Sequence, residues 1–291
     1  VYISEHGGTS VLTYGDRPEP EIEPGEVLLK VEHLSIDAFI RTMLDDRDGH
    51  HGKIDLDAPV TAFRSGRGVV AEDHELGVSS AAAWELWQDT DLLIGIGSRC
   101  EMPYLRWTGM TRADDRPAGP KLIRIEIDPV ELLRLKPDLG IVADSADGTR
   151  ALAEEAAKSY RKTANARTRI ADAKVTARAK VERIQPHVAY LDTIRSVLPR
   201  DGILVKDICQ TGFASYFAYP VYQPRTYITS GYQGNLGFAF PTALGAKVAC
   251  PNKAVVAVAA VVGDGGFNFS MQELAFSRTQ IKLIHNSPPS R

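Results

Sequence analysis

A nine-residue apolar run, Ala254–Val262, followed directly by Gly263-Asp264-Gly265-Gly266, limits the folds open to this 291-residue chain more than any other feature. Nine residues are about half of what a membrane-spanning helix needs, but they suit a strand that is buried on both faces. Such strands belong to parallel sheets that are covered by helices. The run therefore predicts an α/β fold in which the glycine-rich turn lies at the carboxyl edge of a sheet, where such folds bind ligands.

The Asp264 carboxylate stands in this turn among glycines whose backbone N–H groups suit a phosphate oxygen. A carboxylate beside a phosphate is unfavourable unless a hard divalent cation such as Mg²⁺ bridges the two. A helix expected from Ser270 onward would direct its positive end to the same place. The turn therefore predicts a diphosphate held through Mg²⁺, and the alternative is an acidic hairpin turn.

Short apolar strands alternate with helical segments over much of the chain. The predicted strands are 59–63, 91–96, 121–127, 140–143, 202–206, 254–262 and 281–284, and the predicted helices are 78–88, one opening at 129 and a long solvated one over 149–185. This alternation predicts two parallel-sheet α/β domains joined by a helical linker, with a short β-rich N-terminal segment. We place the N-terminal segment at 1–50, the central domain at 51–152, the linker at 153–185 and the last domain at 186–291.

Composition excludes several classes of protein. The 34 Lys and Arg against 37 Asp and Glu give a net charge of -3, so no positive excess favours nucleic acid. Basic residues between 161 and 180 are interleaved with acidic ones, which favours a solvated helix face. Three separated cysteines without a CxxC pair fit a reducing compartment. With no leader segment recognised, we expect a cytoplasmic protein with no membrane partner.

The Gly95-Ile96-Gly97-Ser98 stretch ends a predicted strand with small residues, as nucleotide-binding turns do. It does not complete a GxGxxG motif, and strand-ending glycines are common in parallel sheets. A ligand contact and an ordinary strand end therefore both stay open for this turn.

Residues 231–247, with the sequence GYQGNLGFAFPTALGAK, resemble a signature of thiamine diphosphate enzymes when taken with Gly263–Phe267 and Gln272–Ala275. The resemblance is strongest to the acetolactate synthase-like branch, and it continues upstream through Asp207–Gly212. Residues Pro59–Leu152 are similar to the central domain of that family. Most of the chain is covered, and the diphosphate-binding motif is specific.

The resemblance implies a thiamine diphosphate- and Mg²⁺-dependent decarboxylase or carboligase that acts on a small 2-oxo acid. It implies Mg²⁺ ligands at Asp264 and Asn286, and an apolar support for the bent cofactor at Leu236. The residues that it places around the diphosphate are Gln210, Thr211, Gly263, Asp264, Gly265 and Gly266. It identifies no catalytic side chain, and it leaves FAD open for the central domain although no motif supports it.

Three departures from the family pattern bear on activity. The interval from Leu236 to Asp264 is longer than in the family, and Asn286 follows His285 where the family has an Asn-Asn pair. No segment before Pro59 matches the pyrimidine-binding domain that supplies the family's activating glutamate. We therefore expect an incomplete site, with a C-terminally truncated last domain, and either a homo-oligomer or a partner that supplies the pyrimidine-binding domain.

Two alternatives to the enzyme reading follow from these departures. One is a non-catalytic cofactor-binding fragment. The other is a nicotinamide-dependent reductase, because residues 1–45 weakly resemble the start of a zinc-independent medium-chain dehydrogenase/reductase. The second is the weaker of the two, since no GxGxxG motif follows a predicted strand.

Overall fold

A computed structural model describes residues 2–3, 12–13, 58–108, 116, 119–157, 165–231, 233–257 and 264–275. The chain divides into two compact units. The first unit comprises residues 1–54 and 91–159, and the second comprises residues 55–90 and 160–291.

The described elements alternate between strand and helix after the N-terminal segment. The strands are β1 (Tyr2–Ile3), β2 (Leu12–Thr13), β3 (Val60–Thr61), β4 (Gly77–Val78), β5 (Leu92–Ile96), β6 (Lys121–Glu126), β7 (Leu139–Val142), β8 (Ile203–Lys206), β9 (Tyr227–Thr229) and β10 (Val255–Ala257). The α-helices are α1 (Ser80–Trp87), α2 (Pro129–Arg134), α3 (Ser145–Ala157), α4 (Ala166–Val181), α5 (His187–Val197), α6 (Gln210–Ala218), α7 (Ala239–Ala249) and α8 (Asp264–Asn268).

Among the described strands, pairing is parallel except for β1, which pairs antiparallel with β2. The first unit holds a three-stranded sheet in the order β5-β6-β7. The second unit holds the pair β3-β4 and a three-stranded sheet in the order β10-β8-β9. The predicted parallel-sheet α/β fold is confirmed. The strands expected over residues 59–143 form two separate parallel sheets, because β3 and β4 pair with each other and not with β5.

The end of β5 in the first unit shows why its turn is rich in glycine. A Cβ atom on Gly95 would lie 2.5 Å from the Sγ of Cys100, a buried side chain. The buried Arg124 of β6 then closes the turn by donating to the backbone oxygen of Ser98 at 3.0 Å. A packing requirement therefore accounts for Gly95.

The central strand β8 forms the core of the second unit, and all four of its residues are buried. Ile203 and Val205 pack on α7, whereas Leu204 belongs to the cluster formed with α5 and α6. Helices cover both faces of β8, so a ligand cannot reach the strand from either face. In folds of this kind the binding position is the loop at the carboxyl end of the strand.

Residues 149–185 form two helices, α3 and α4, where one long solvated helix was expected. Four residues of α4 are buried at helical spacing, namely Ile170, Ala173, Ala177 and Val181. Its basic residues are engaged by carboxylates of the same unit, as in the pairs Arg169–Asp89 at 3.0 Å and Lys180–Glu85 at 2.7 Å. One face of α4 is thus part of the core, and its other face carries ion pairs.

Several predictions fall on residues outside the described ones. These are the remainder of the 1–50 segment with its dehydrogenase-like resemblance, the strand over 258–262, Gly263, the strand over 281–284 and Asn286. Within the described ranges, no helix is both long enough and apolar enough to cross a membrane.

Candidate functional site

Three segments of the second unit meet beyond the carboxyl end of β8. The first segment, residues 207–212, leads from β8 into α6. The second segment, residues 233–238, precedes α7, and the third segment is α8 with the following residues to 270. Because β8, β9 and β10 are parallel, their carboxyl ends share one edge of the sheet.

Two glycines of the second segment bring the three segments into contact. Gly234 has a φ of +69°, and a Cβ atom there would lie 3.3 Å from the Cδ1 of Ile208 in the first segment. Gly237 has a φ of +78°, and its Cβ atom would lie 2.7 Å from the Cβ of Phe269 and 3.2 Å from the oxygen of Gly266. A side chain at Gly237 would therefore separate the second segment from the third.

The buried carboxylate of Asp207 also holds the first and second segments together. Its Oδ1 accepts a hydrogen bond from the backbone N–H of Ile208 at 2.6 Å. Its Oδ2 accepts one from the backbone N–H of Ala239, the first residue of α7, at 3.1 Å. One side chain thus joins the end of β8 to the start of α7. Sequence analysis placed Asp207 in the family motif but assigned it no role.

The first turn of α6 carries two of the predicted diphosphate residues. Gln210 is exposed, whereas Thr211 is fully buried. The Nε2 of His187 lies 2.9 Å from the Oε1 of Gln210, and its Nδ1 lies 2.7 Å from the Oγ1 of Thr211. His187 begins α5 and was missed by sequence analysis, because only the packing of α5 on α6 reveals the contact.

The second segment presents an apolar side chain, and the third contains a glycine with empty space beside its Cα. Leu236 is 48% exposed. A Cβ atom on Gly265 would meet nothing within 4 Å, whereas Gly266 is buried. The structure therefore assembles the segments that carry Gln210, Leu236, Gly265 and Gly266.

A short helix that the sequence did not predict, α8, starts at Asp264 and ends at Asn268, and a 3-10 turn follows at Met271–Glu273. The helix predicted from Ser270 onward falls mostly on residues outside the described ones. The described residues contain no group of three or more His, Cys, Asp or Glu side chains that could hold a metal ion. The side chain of Asp264 and all of Asn286 lie outside that description, so the predicted Mg²⁺ ligands stay predictions.

Two further groups at the end of β8 shape the electrostatics there. Burial raises the pKa of the Cys209 thiol, and its Sγ accepts from the backbone N–H of Gly212 at 3.2 Å, which caps α6. The buried Lys206 ammonium lies 4.0 Å from the ring centroid of Tyr216. Among the described residues its Nζ finds no hydrogen-bond acceptor.

The buried Arg67 anchors the far end of α6. It donates from Nε and Nη2 to the Glu72 carboxylate at 2.7 and 2.9 Å, and from Nη1 to the backbone oxygen of Ser215 at 3.0 Å. Burial would lower the pKa of Arg67, but the attraction of Glu72 and its hydrogen bonds raise it above the ordinary value. The segment before α1 is thereby fixed to the helix that carries Gln210.

Two family models match this chain. Residues 207–285, which include all three segments, match the thiamine pyrophosphate enzyme C-terminal TPP binding domain. Residues 55–152 match the thiamine pyrophosphate enzyme central domain. Together the matches span more than half of the chain, which therefore belongs to the family of thiamine pyrophosphate (thiamine diphosphate) enzymes, with acetolactate synthases among its relatives.

Similar curated proteins include decarboxylases and carboligases. The chain is 28% identical over 233 residues to a probable 2-ketoarginine decarboxylase of Pseudomonas aeruginosa, covering 78% of this chain and 40% of that protein. It is 30% identical over 246 residues to a glyoxylate carboligase of Escherichia coli O157:H7, with the same coverage of 78% and 40%. It is 29% identical over 265 residues to an acetolactate synthase large subunit of Corynebacterium glutamicum, covering 78% and 38%. The chain spans about two fifths of the length of these relatives.

Proposed function

We propose that this chain holds thiamine diphosphate, with Mg²⁺, where the three segments meet, and that it serves an acetolactate synthase-like decarboxylation or carboligation of a small 2-oxo acid. The observation that carries the proposal is the close approach of Gly237 to Gly266 and Phe269, which leaves no room for a Cβ atom at position 237. All these residues lie inside the 207–285 family match. The relatives described above, a probable decarboxylase, a carboligase and an acetolactate synthase subunit, support the reaction class.

The residues present fit such a cofactor at both of its ends. The space beside the Cα of Gly265 and the exposed amide of Gln210 suit a diphosphate, and the half-exposed Leu236 suits an apolar ring. When bound, thiamine diphosphate supplies the carbanion chemistry, while the protein supplies position and electrostatics. The residues proposed to hold the diphosphate and Mg²⁺ are Gln210, Gly263, Asp264, Gly265, Gly266 and Asn286. Thr211, expected at the diphosphate from the family pattern, is fully buried, and we propose that it supports Gln210 from the interior. FAD finds no support in the described residues or in the matches.

We also propose a role for each part of the chain. Residues 51–152 serve as the central domain and residues 186–291 as the cofactor-binding domain, joined through 153–185; the family matches at 55–152 and 207–285 support this division. A pyrimidine-binding domain outside these 291 residues, such as one on a partner chain, supplies the activating glutamate. Binding without turnover is the alternative that the experiments below distinguish.

Titration calorimetry tests the metal bridge. With Mg²⁺ present we expect the wild-type chain to bind thiamine diphosphate and the Asp264→Ala variant to lose that binding, because the bridging carboxylate is gone. Glu273→Ala removes an acidic residue from the next turn and serves as the matched control, with wild-type affinity expected. Circular dichroism verifies the fold of both variants. Equal affinity in the wild type and Asp264→Ala would refute the proposed bridge.

Pyruvate consumption tests the need for a second domain. Loss of a general acid–base group typically lowers a rate by about 10²–10⁴, so we expect no measurable turnover by these 291 residues alone. Addition of a pyrimidine-binding domain from a family member in trans should restore it. Turnover without that domain would contradict the proposal that the site is completed from outside.

A further inference from the structure

The His187 ring bridges the two side chains that open α6. Its Nε2 lies 2.9 Å from Gln210 Oε1, and its Nδ1 lies 2.7 Å from Thr211 Oγ1. The ring is partly buried, Thr211 is fully buried and Gln210 is exposed. The bridge therefore links a rigid interior hydroxyl to an amide at the open edge of the sheet.

Hydrogen-bond chemistry fixes the direction of this bridge. The Oε1 of Gln210 is an acceptor only, so the Nε2 of His187 must carry the hydrogen that joins them. In a neutral ring Nδ1 then accepts, and the Thr211 hydroxyl donates to it. The carbonyl end of Gln210 is thereby turned to the histidine, which leaves its NH₂ group directed away from the ring.

We propose that His187 is a positioning residue that orients the Gln210 amide, so that its NH₂ group and not its carbonyl oxygen faces a bound diphosphate. The inference rests on the proposed function. An unrestrained glutamine presents either end, and its oxygen repels a phosphate. Thr211 acts through the same ring: its hydroxyl holds the tautomer that donates to Gln210, which gives the buried Thr211 an indirect role.

Two substitutions at His187 separate this role from simple packing. In His187→Gln the side-chain amide nitrogen reaches the place of Nε2 and still donates to Gln210. In His187→Asn the shorter amide replaces Nδ1 and leaves Gln210 without its donor. Both variants are neutral, polar and smaller than histidine, so a purely structural role predicts similar behaviour for the two.

Calorimetric affinity for thiamine diphosphate with Mg²⁺ is the first readout. A hydrogen bond to a charged group corresponds to roughly a ten- to hundredfold change in affinity, and we expect Gln210→Ala to lose that much. His187→Asn should lose about as much, and His187→Gln should retain wild-type affinity. In the double variant His187→Asn/Gln210→Ala the loss should equal that of Gln210→Ala alone, because His187 acts only through Gln210.

Nitrogen-15 NMR of the imidazole in the free protein is the second readout, and it requires no variant to fold. We expect the Nε2–H tautomer in the wild type, because Gln210 Oε1 accepts from Nε2 and the Thr211 hydroxyl donates to Nδ1. An Nδ1–H tautomer in the wild type overturns the inference, as does wild-type affinity in His187→Asn. Those results leave the proposed cofactor site intact, whereas a wild-type chain that binds no thiamine diphosphate overturns both.

Discussion

The buried Arg67–Glu72 pair offers the sharpest test of what holds α6 in place. The Arg67 and Glu72 side chains are 1% and 9% exposed, and Glu72→Gln would leave the guanidinium buried without its counter-charge. Breaking a buried pair by removing one partner costs about 3–5 kcal/mol. Because Arg67 keeps the Ser215 and Tyr219 oxygens and the Tyr227 ring at 4.6 Å, we expect a loss near the lower end, about 3 kcal/mol.

The neighbouring residue provides a matched control. Asp73 pairs with Arg200 at 2.5 Å, but these side chains are 45% and 57% exposed. Exposed pairs contribute about 0.2–1 kcal/mol, so Asp73→Asn should cost less than about 1 kcal/mol. Scanning calorimetry should show Glu72→Gln lowering the Tm of the second unit by about 6–12 °C, at roughly 2–4 °C per kcal/mol. If the two variants melt within a degree or two of each other, the role assigned to Arg67 is wrong.

Three further predictions concern local packing and charge. Gly95→Ala should destabilise the first unit by about 1–3 kcal/mol, since its Cβ would lie 2.5 Å from Cys100 Sγ, and urea unfolding of Gly95→Ala/Cys100→Ala should recover part of that loss. The hydrogen bond from the backbone N–H of Leu122 lowers the pKa of Asp138 to about 2. The ionised Asp138 carboxylate should therefore stabilise the fold fully above about pH 4, and this stabilisation should be lost as the pH falls through about 2. A carboxyl NMR titration of Asp138 with a midpoint near 4 would contradict this. Lys206→Met should raise the Tm, because it removes a buried ammonium without an acceptor, and a lowered Tm would show that the Tyr216 contact outweighs desolvation.

The sequence alone predicted the positions of most strands, because a run of apolar, β-branched residues is a local signal. The runs 91–96, 121–127 and 202–206 are apolar and β-branched, and they form strands at 92–96, 121–126 and 203–206. The glycines at 234 and 237 lie in a motif whose meaning is equally local, and both have positive φ. Short patterns therefore predicted the sheet edges and the loops that line the candidate site.

The remaining features depend on contacts between residues far apart in the chain. Nothing around His187 signals that its ring reaches Gln210 and Thr211, 23 and 24 residues later. The contact of Arg67 with the backbone oxygen of Ser215, 148 residues later in the chain, likewise has no signal in the sequence around Arg67. The short helix α8 at Asp264 was missed for a different reason, since glycine is a weak helix former and its propensity argued against a helix there.

The Asp207 carboxylate has a consequence for the entropy of ligand binding. It accepts hydrogen bonds from the backbone N–H groups of Ile208, after β8, and Ala239, at the start of α7. The chain between β9 and α7 is therefore held at its α7 end. Gly231 is tied as well, because its N–H donates to the Thr229 hydroxyl at 3.2 Å. Fixing the backbone of a free residue costs about 1–2 kcal/mol of conformational entropy at room temperature. At these tied residues the entropy is lost during folding and not during ligand binding. The two ends of this loop are therefore held in place before a ligand such as the proposed cofactor arrives.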